Sequence, residues 1–135
     1  MKRARRPREL FLSHASADHK FVDKVASFLR KEGIRVWYSR HHLVGADRWH
    51  DEIGRALRRC DWFLVVVSRK SVRSMWVRRE VMFALKQRRF QNRMIPLLYQ
   101  DCSMEQLSWA LDDSQTVDFR DSFSLGCRKL LEIWK

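Results

Sequence analysis

Apolar positions along this chain switch between two spacings, short continuous runs and a helical stripe, and the two take turns. Glu9-Leu10-Phe11-Leu12-Ser13 is a brief apolar run of strand character. Between Asp18 and Glu32, Phe21, Val22, Val25, Phe28 and Leu29 recur at helical spacing. Ser16 is the expected N-cap of that helix and Gly33 its expected stop. Ile34 to Ser39 is β-branched and aromatic, which predicts a second strand. Arg40 to Asp47 reads as a loop, and Arg48 to Arg59 returns to helix through Trp49, Ile53, Ala56 and Leu57. Asp61 to Ser68 is almost wholly apolar, as expected of a parallel strand covered on both faces.

The alternation continues with a helix over Met75 to Arg89 and a fourth strand over Arg93 to Tyr99. Pro96 inside that strand cannot donate to a ladder, so it marks a bulge or a place near an edge. Met104 to Leu111 is expected as one short helix, Gln115 to Phe119 as a fifth strand, and Ser122 to Trp134 as a closing amphipathic helix. Strands and helices in this order define an α/β domain, a five-stranded parallel sheet flanked by helices on both faces. The flavodoxin-like order 2-1-3-4-5 is the expectation. Its switch point lies between the first and third strands, and ligands bind there at the carboxyl ends.

The length of 135 residues is that of one domain, expected as a basic tail over 1–8 and a folded unit over 9–135. Net charge is +12, which favours anionic partners without naming one. Cys60, Cys102 and Cys127 are odd in number and far apart, so neither a disulfide framework nor a zinc spacing is expected. The charged start is not followed by a long apolar segment, and no stretch of about 18 apolar residues exists to span a bilayer; a cytoplasmic location is the expectation.

Candidate chemistry gathers at the strand ends. Ser13, Ser39 and Ser68 close the first three strands, either as ordinary turn and capping residues or as part of a site. Ser13, His14, Ser39, Arg40, Trp76 and Glu80 are expected to converge around the switch point. Trp76 and Glu80 stand four apart on a helix, so an aromatic plane and a carboxylate can meet one ligand. Against this stand a surface carboxylate paired with Arg78 or Arg79, and a tryptophan packed in the core. The four isolated glycines exclude a GxGxxG fingerprint and a Walker loop, and no G-x-S-x-G elbow is present. His41 and His42 are adjacent and lack helical metal-ligand spacing, so no metal site is expected. The arginines 55, 58, 59, 78, 79, 88, 89 and 93 read as a solvated basic face or as a nucleic-acid surface, although no groove-reading motif accompanies them.

These residues also resemble a known family. Leu10-Phe11-Leu12-Ser13-His14-Ala15-Ser16-Ala17-Asp18 is similar to the first box of a Toll/interleukin-1 receptor (TIR) domain. Leu43-Val44-Gly45-Ala46-Asp47-Arg48-Trp49 resembles its BB loop, and Phe63 to Ser68 followed by Trp76 and Glu80 resembles the third strand and WxxxE helix of the bacterial and plant-like branch. The resemblance runs from about Glu9 to Trp134. It implies an enzyme that cleaves NAD+ to nicotinamide and linear or cyclic ADP-ribose, with NAD+ as substrate and no bound cofactor. Glu80 matches the catalytic glutamate and Trp76 a residue that stacks on a ring of the substrate. With NAD+ as that substrate, the switch-point residues Ser13, His14, Ser39 and Arg40 are its expected contacts, and Arg40, Arg48 and Arg73 candidate contacts for its pyrophosphate. It further implies activation by self-association through Leu43, Gly45, Asp47 and Trp49, a role in bacterial antiviral defence, and a sensor domain or partner protein. The chain departs from the family pattern twice: Ser39 stands at the end of the second strand where many members have an acid, and Ala46 takes the place of the glycine that usually precedes the BB-loop aspartate, a change that bears on assembly. Non-catalytic TIR adaptors, which act only through TIR–TIR contacts, commonly lack the helix glutamate. A nucleic-acid-associated TIR domain is the third reading.

Overall fold

The computed structural model describes residues 5–38, 46–113 and 115–135, with backbone only for 46–50 and 112–113. Five strands form one sheet: β1 (Glu9–Ser13), β2 (Arg35–Trp37), β3 (Trp62–Val67), β4 (Met94–Leu98) and β5 (Val117–Asp118). All are parallel, in the order β2-β1-β3-β4-β5. The helices are α1 (His19–Lys31), α2 (Ala46–Arg59), α3 (Met75–Leu85) and α4 (Phe123–Trp134).

Strand side chains alternate between the faces, so within each strand alternate residues go to one of two cores, with the parity of β4 opposite to that of β1 and β3. Leu10, Leu12, Leu64, Val66, Ile95 and Leu97 pack with Val22, Val25 and Leu29 of α1 and Cys127, Leu130 and Trp134 of α4. Phe11, Phe63, Val65, Val67 and Met94 face the other way, onto Ile53, Ala56 and Leu57 of α2 and Val77, Val81 and Ala84 of α3. β3 is buried along its whole length, which explains its unbroken apolar run. Ahead of β1, Pro7 is buried and the Arg8 backbone N–H donates to the Asp61 carboxylate.

Several boundaries differ from the expectation, each for a local reason. Ser16 does not cap α1: a 3₁₀ turn over Ser16–Asp18 precedes the helix, and the Asp18 side chain turns inward instead of capping. Gly33 does end α1, at φ +83°, a conformation that costs glycine little. α2 begins at Ala46, so Asp47 belongs to the helix and not to the preceding loop. α3 stops at Leu85 because Gln87 is extended; Arg88–Phe90 then form a separate 3₁₀ turn. The single helix expected over Met104 to Leu111 is two 3₁₀ turns, Met104–Gln106 and Trp109–Asp113. Ser108 lies between them, its Oγ accepting from the Ala110 N–H, a local bond that competes with helix. Pro96 involves no missing ladder partner. The Leu98 carbonyl accepts from Phe119, so even-numbered residues of β4 face β5, which pairs only with Leu97 and Leu98.

Candidate active site

The site is built from the carboxyl ends of β1 and β3, the neighbours on either side of the switch point. Ser13 closes β1 on the face that carries Phe11, and therefore looks toward α3. α3 follows β3 through a 3₁₀ turn over Ser71–Arg73, and Ser74 caps it by accepting from the Val77 N–H at 3.3 Å. Its buried face is Val77, Glu80, Val81 and Ala84, so the glutamate stands among apolar residues while Arg78 and Arg79 point to solvent. Glu80 is only 4% exposed. The surface ion pair considered for it from the sequence does not form: Arg78 donates to the Gln106 carbonyl, and Arg79 lies 5.8 Å from the Trp76 ring centroid.

Ser13 Oγ donates to Glu80 Oε1 at 2.6 Å. Glu80 Oε2 is buried and has no hydrogen-bond partner among the described residues. Burial pushes the Glu80 carboxyl up to about 7, and the Ser13 hydrogen bond opposes that shift. A carboxyl poised at neutrality, with one oxygen held and the other uncommitted, can stabilise a developing positive charge or accept a hydrogen bond from a substrate hydroxyl.

His14 is buried, with its ring edge-on to Tyr38 at 5.8 Å between centroids. The Tyr38 hydroxyl donates to Asp23 at 2.6 Å, which anchors the end of β2 to α1. Trp76, one turn before Glu80, is half-buried against the α2–α3 core; it is neither a fully buried residue nor a free one. Arg73 is exposed on the turn leading into α3. Ser39, Arg40, Leu43 and Gly45 lie outside the described residues, as do His41 and His42. Asp47, Arg48 and Trp49 fall in the first turn of α2, where only the backbone is described. Of the residues singled out by the sequence, the structure joins Ser13 to Glu80 directly, while His14 packs on Tyr38 and Trp76 lies one turn before Glu80 on α3.

A second buried carboxylate, not singled out beforehand, sits on the same rim. Asp18 accepts from Ser68 Oγ at 2.5 Å. Burial raises its carboxyl above the ordinary range, and the Ser68 bond opposes that. Strand parity was the available signal: Ser68 is even-numbered, like Leu64 and Val66, and so faces α1.

Part of the basic surface has local tasks. The Arg89 guanidinium donates to the carbonyls of Leu57 and Cys60 at the end of α2, and Arg59 pairs with Glu9 at 2.8 Å. Among the described residues no group of three or more His, Cys, Asp or Glu is placed to hold a metal ion, and no helix is long and apolar enough to cross a membrane.

A parallel β2-β1-β3-β4-β5 sheet flanked by helices makes this a flavodoxin-like α/β domain, and the chain belongs to the TIR domain family, whose model matches residues 10–131. Among curated proteins it is similar to the 2' cyclic ADP-D-ribose synthase AbTIR of Acinetobacter baumannii, 34% identical over 74 residues. That match takes in 54% of this chain and 28% of the relative, so it spans little more than a quarter of the length of the curated protein. The fold is close to the TIR domain of the Toll-related receptor TRR-2 from Hydra magnipapillata, with a TM-score of 0.73 at 18% identity over 93% of this chain and 98% of that one. It is also close to the TIR domains of the activated Roq1 resistosome, with a TM-score of 0.71 at 19% identity over 91% and 96%.

Proposed function

We propose that this TIR domain cleaves NAD+ at the nicotinamide–ribose bond, with Glu80 as the catalytic carboxylate. The observation that carries the reading is the buried Glu80 carboxyl at the switch point, one oxygen held by Ser13 and the other without a partner among the described residues. The relationship to a cyclic ADP-ribose synthase supports the choice of substrate.

The chemistry suits a single carboxylate. Nicotinamide is bound as a pyridinium; when its C–N bond to ribose breaks, the electron pair goes to nitrogen and the base departs neutral, so no general acid is required. The ribose is left with oxocarbenium character, as in glycoside hydrolysis. An ionised Glu80 beside it stabilises that charge and orients the ribose hydroxyls. Water attack then releases ADP-ribose, and attack by a nucleophile of the same substrate closes a cyclic product. Trp76 offers an aromatic face one turn away, with Arg79 above its own ring.

Activation by self-association completes the proposal, as an effector in immune defence. The relevant loop is the segment leading into α2, of which Asp47 and Trp49 lie in the first turn. The test is nicotinamide release from NAD+ by the same protein dilute and artificially clustered. Release that rises with clustering supports the proposal. Release from neither preparation, with TIR–TIR association intact, favours the adaptor reading.

A further inference from the structure

The two serine–carboxylate pairs cross. Ser13 ends β1 and holds Glu80, which lies on the helix after β3; Ser68 follows β3 and is held by Asp18, which lies on the turn after β1. Residue parity produces the crossing, because Ser13 faces the α3 side of the sheet and Ser68 the α1 side. All four residues are buried. Ser68 is also locked to the link that leads into α3. Ser71 Oγ accepts from the Ser68 N–H at 2.8 Å, while Ser68 Oγ accepts from the Ser71 N–H at 3.0 Å. Ser74 then starts α3, and Glu80 follows within two turns. A closed circuit results, running from β1 through Ser13 and Glu80 into α3, back along the link to Ser68, and across to Asp18 and β1.

We infer that Asp18 is a positioning residue for Glu80, acting through Ser68 and the link between β3 and α3. The apolar face of α3 fixes the helix on the sheet, but apolar contacts are non-directional and leave its axial placement soft. The 2.6 Å Ser13–Glu80 bond tolerates a shift of only a few tenths of an ångström before it weakens. Asp18 supplies the directional restraint, setting the exit of β3 against the exit of β1. This role rests on the reading of Glu80 as the catalytic group, so its test includes a measurement that does not need NAD+ cleavage.

The experiment compares Asp18→Ala, Asp18→Asn and Ser68→Ala with wild type by carboxyl titration of Glu80 in protein carrying ¹³C-labelled glutamate, and by NAD+ turnover of the clustered protein. Asp18→Ala and Ser68→Ala loosen the Ser13 bond, so the Glu80 midpoint moves above its wild-type value. Turnover falls roughly tenfold with little change in KM, as for misplacement of a reacting group. Asp18→Asn keeps an acceptor for Ser68 and restores both. An unmoved Glu80 midpoint in the alanine variants, with lowered thermal stability alone, would overturn the inference. Ser68→Ala removes one buried atom, so it decides the outcome if Asp18→Ala does not fold. A shifted midpoint in a chain whose wild type cleaves no NAD+ upholds the positioning role and counts only against the proposed activity.

Discussion

Ser13 and Glu80 are 67 residues apart in sequence and 2.6 Å apart in space, joined by a buried bond from the serine hydroxyl to the glutamate carboxyl. A strand-end serine thereby becomes the partner of the only acidic side chain on α3. The bond favours the ionised carboxylate, while burial favours the protonated acid and prevails.

Ser13→Ala removes the influence that lowers the Glu80 pKa, so the midpoint rises from about 7. A hydrogen bond to a charged group is worth about 1.5–3 kcal/mol, which corresponds to a rise on the order of one unit or more. Cleavage that depends on ionised Glu80 would have its rising pH limb moved to higher pH by that amount. A pH–rate profile of the variant checks this, and an unshifted limb would separate Ser13 from the titration.

Stability carries the same signature. In the folded chain Glu80 holds its proton up to about pH 7, against an ordinary value of 4.5. Between those values the folded state binds a proton that the unfolded chain has released, so stability falls as pH rises through the window. At 1.36 kcal/mol per unit the loss approaches about 3 kcal/mol. Glu80→Gln lacks this ionisation. Denaturant melts should therefore show the variant gaining on wild type between pH 5 and pH 8.5, and a pH-independent difference would mean that Glu80 is not buried as an acid.

Gly126 on α4 has a different reason for its identity. A Cβ at that position would overlap the Phe119 ring, which is itself buried in the α1–α4 core. Gly126→Ala should destabilise the domain by about 1–3 kcal/mol, the usual cost of overpacking, despite the better helix propensity of alanine. Thermal melts check the sign, and stabilisation would show that Phe119 moves aside freely.

Much of the architecture was legible because apolar runs and helical stripes alternate cleanly; the strand order followed from connection rules applied to that alternation. Short polar elements were less so. In Met104–Leu111 a Ser108 hydroxyl between two 3₁₀ turns accepts from a backbone N–H, and at Ser16 Asp18 turns inward to a residue 50 positions away. Glu80 was ambiguous because it follows two solvent-facing arginines, yet Val77, Val81 and Ala84 at helical spacing place it on the buried face. The crossing of the two serine–carboxylate pairs needed both strand parity and the knowledge of which helix covers which face. No local pattern supplies the second.

The central claim is that the Glu80 carboxylate carries NAD+ cleavage, and the direct measurement is nicotinamide release by clustered wild type beside clustered Glu80→Gln. Glutamine keeps the shape and an acceptor for Ser13 but bears no charge. The account predicts release from wild type and a fall of at least about a hundredfold in the variant, comparable to losing a charge-stabilising group at a reacting centre. Cleavage that persists at the wild-type rate in Glu80→Gln would contradict it.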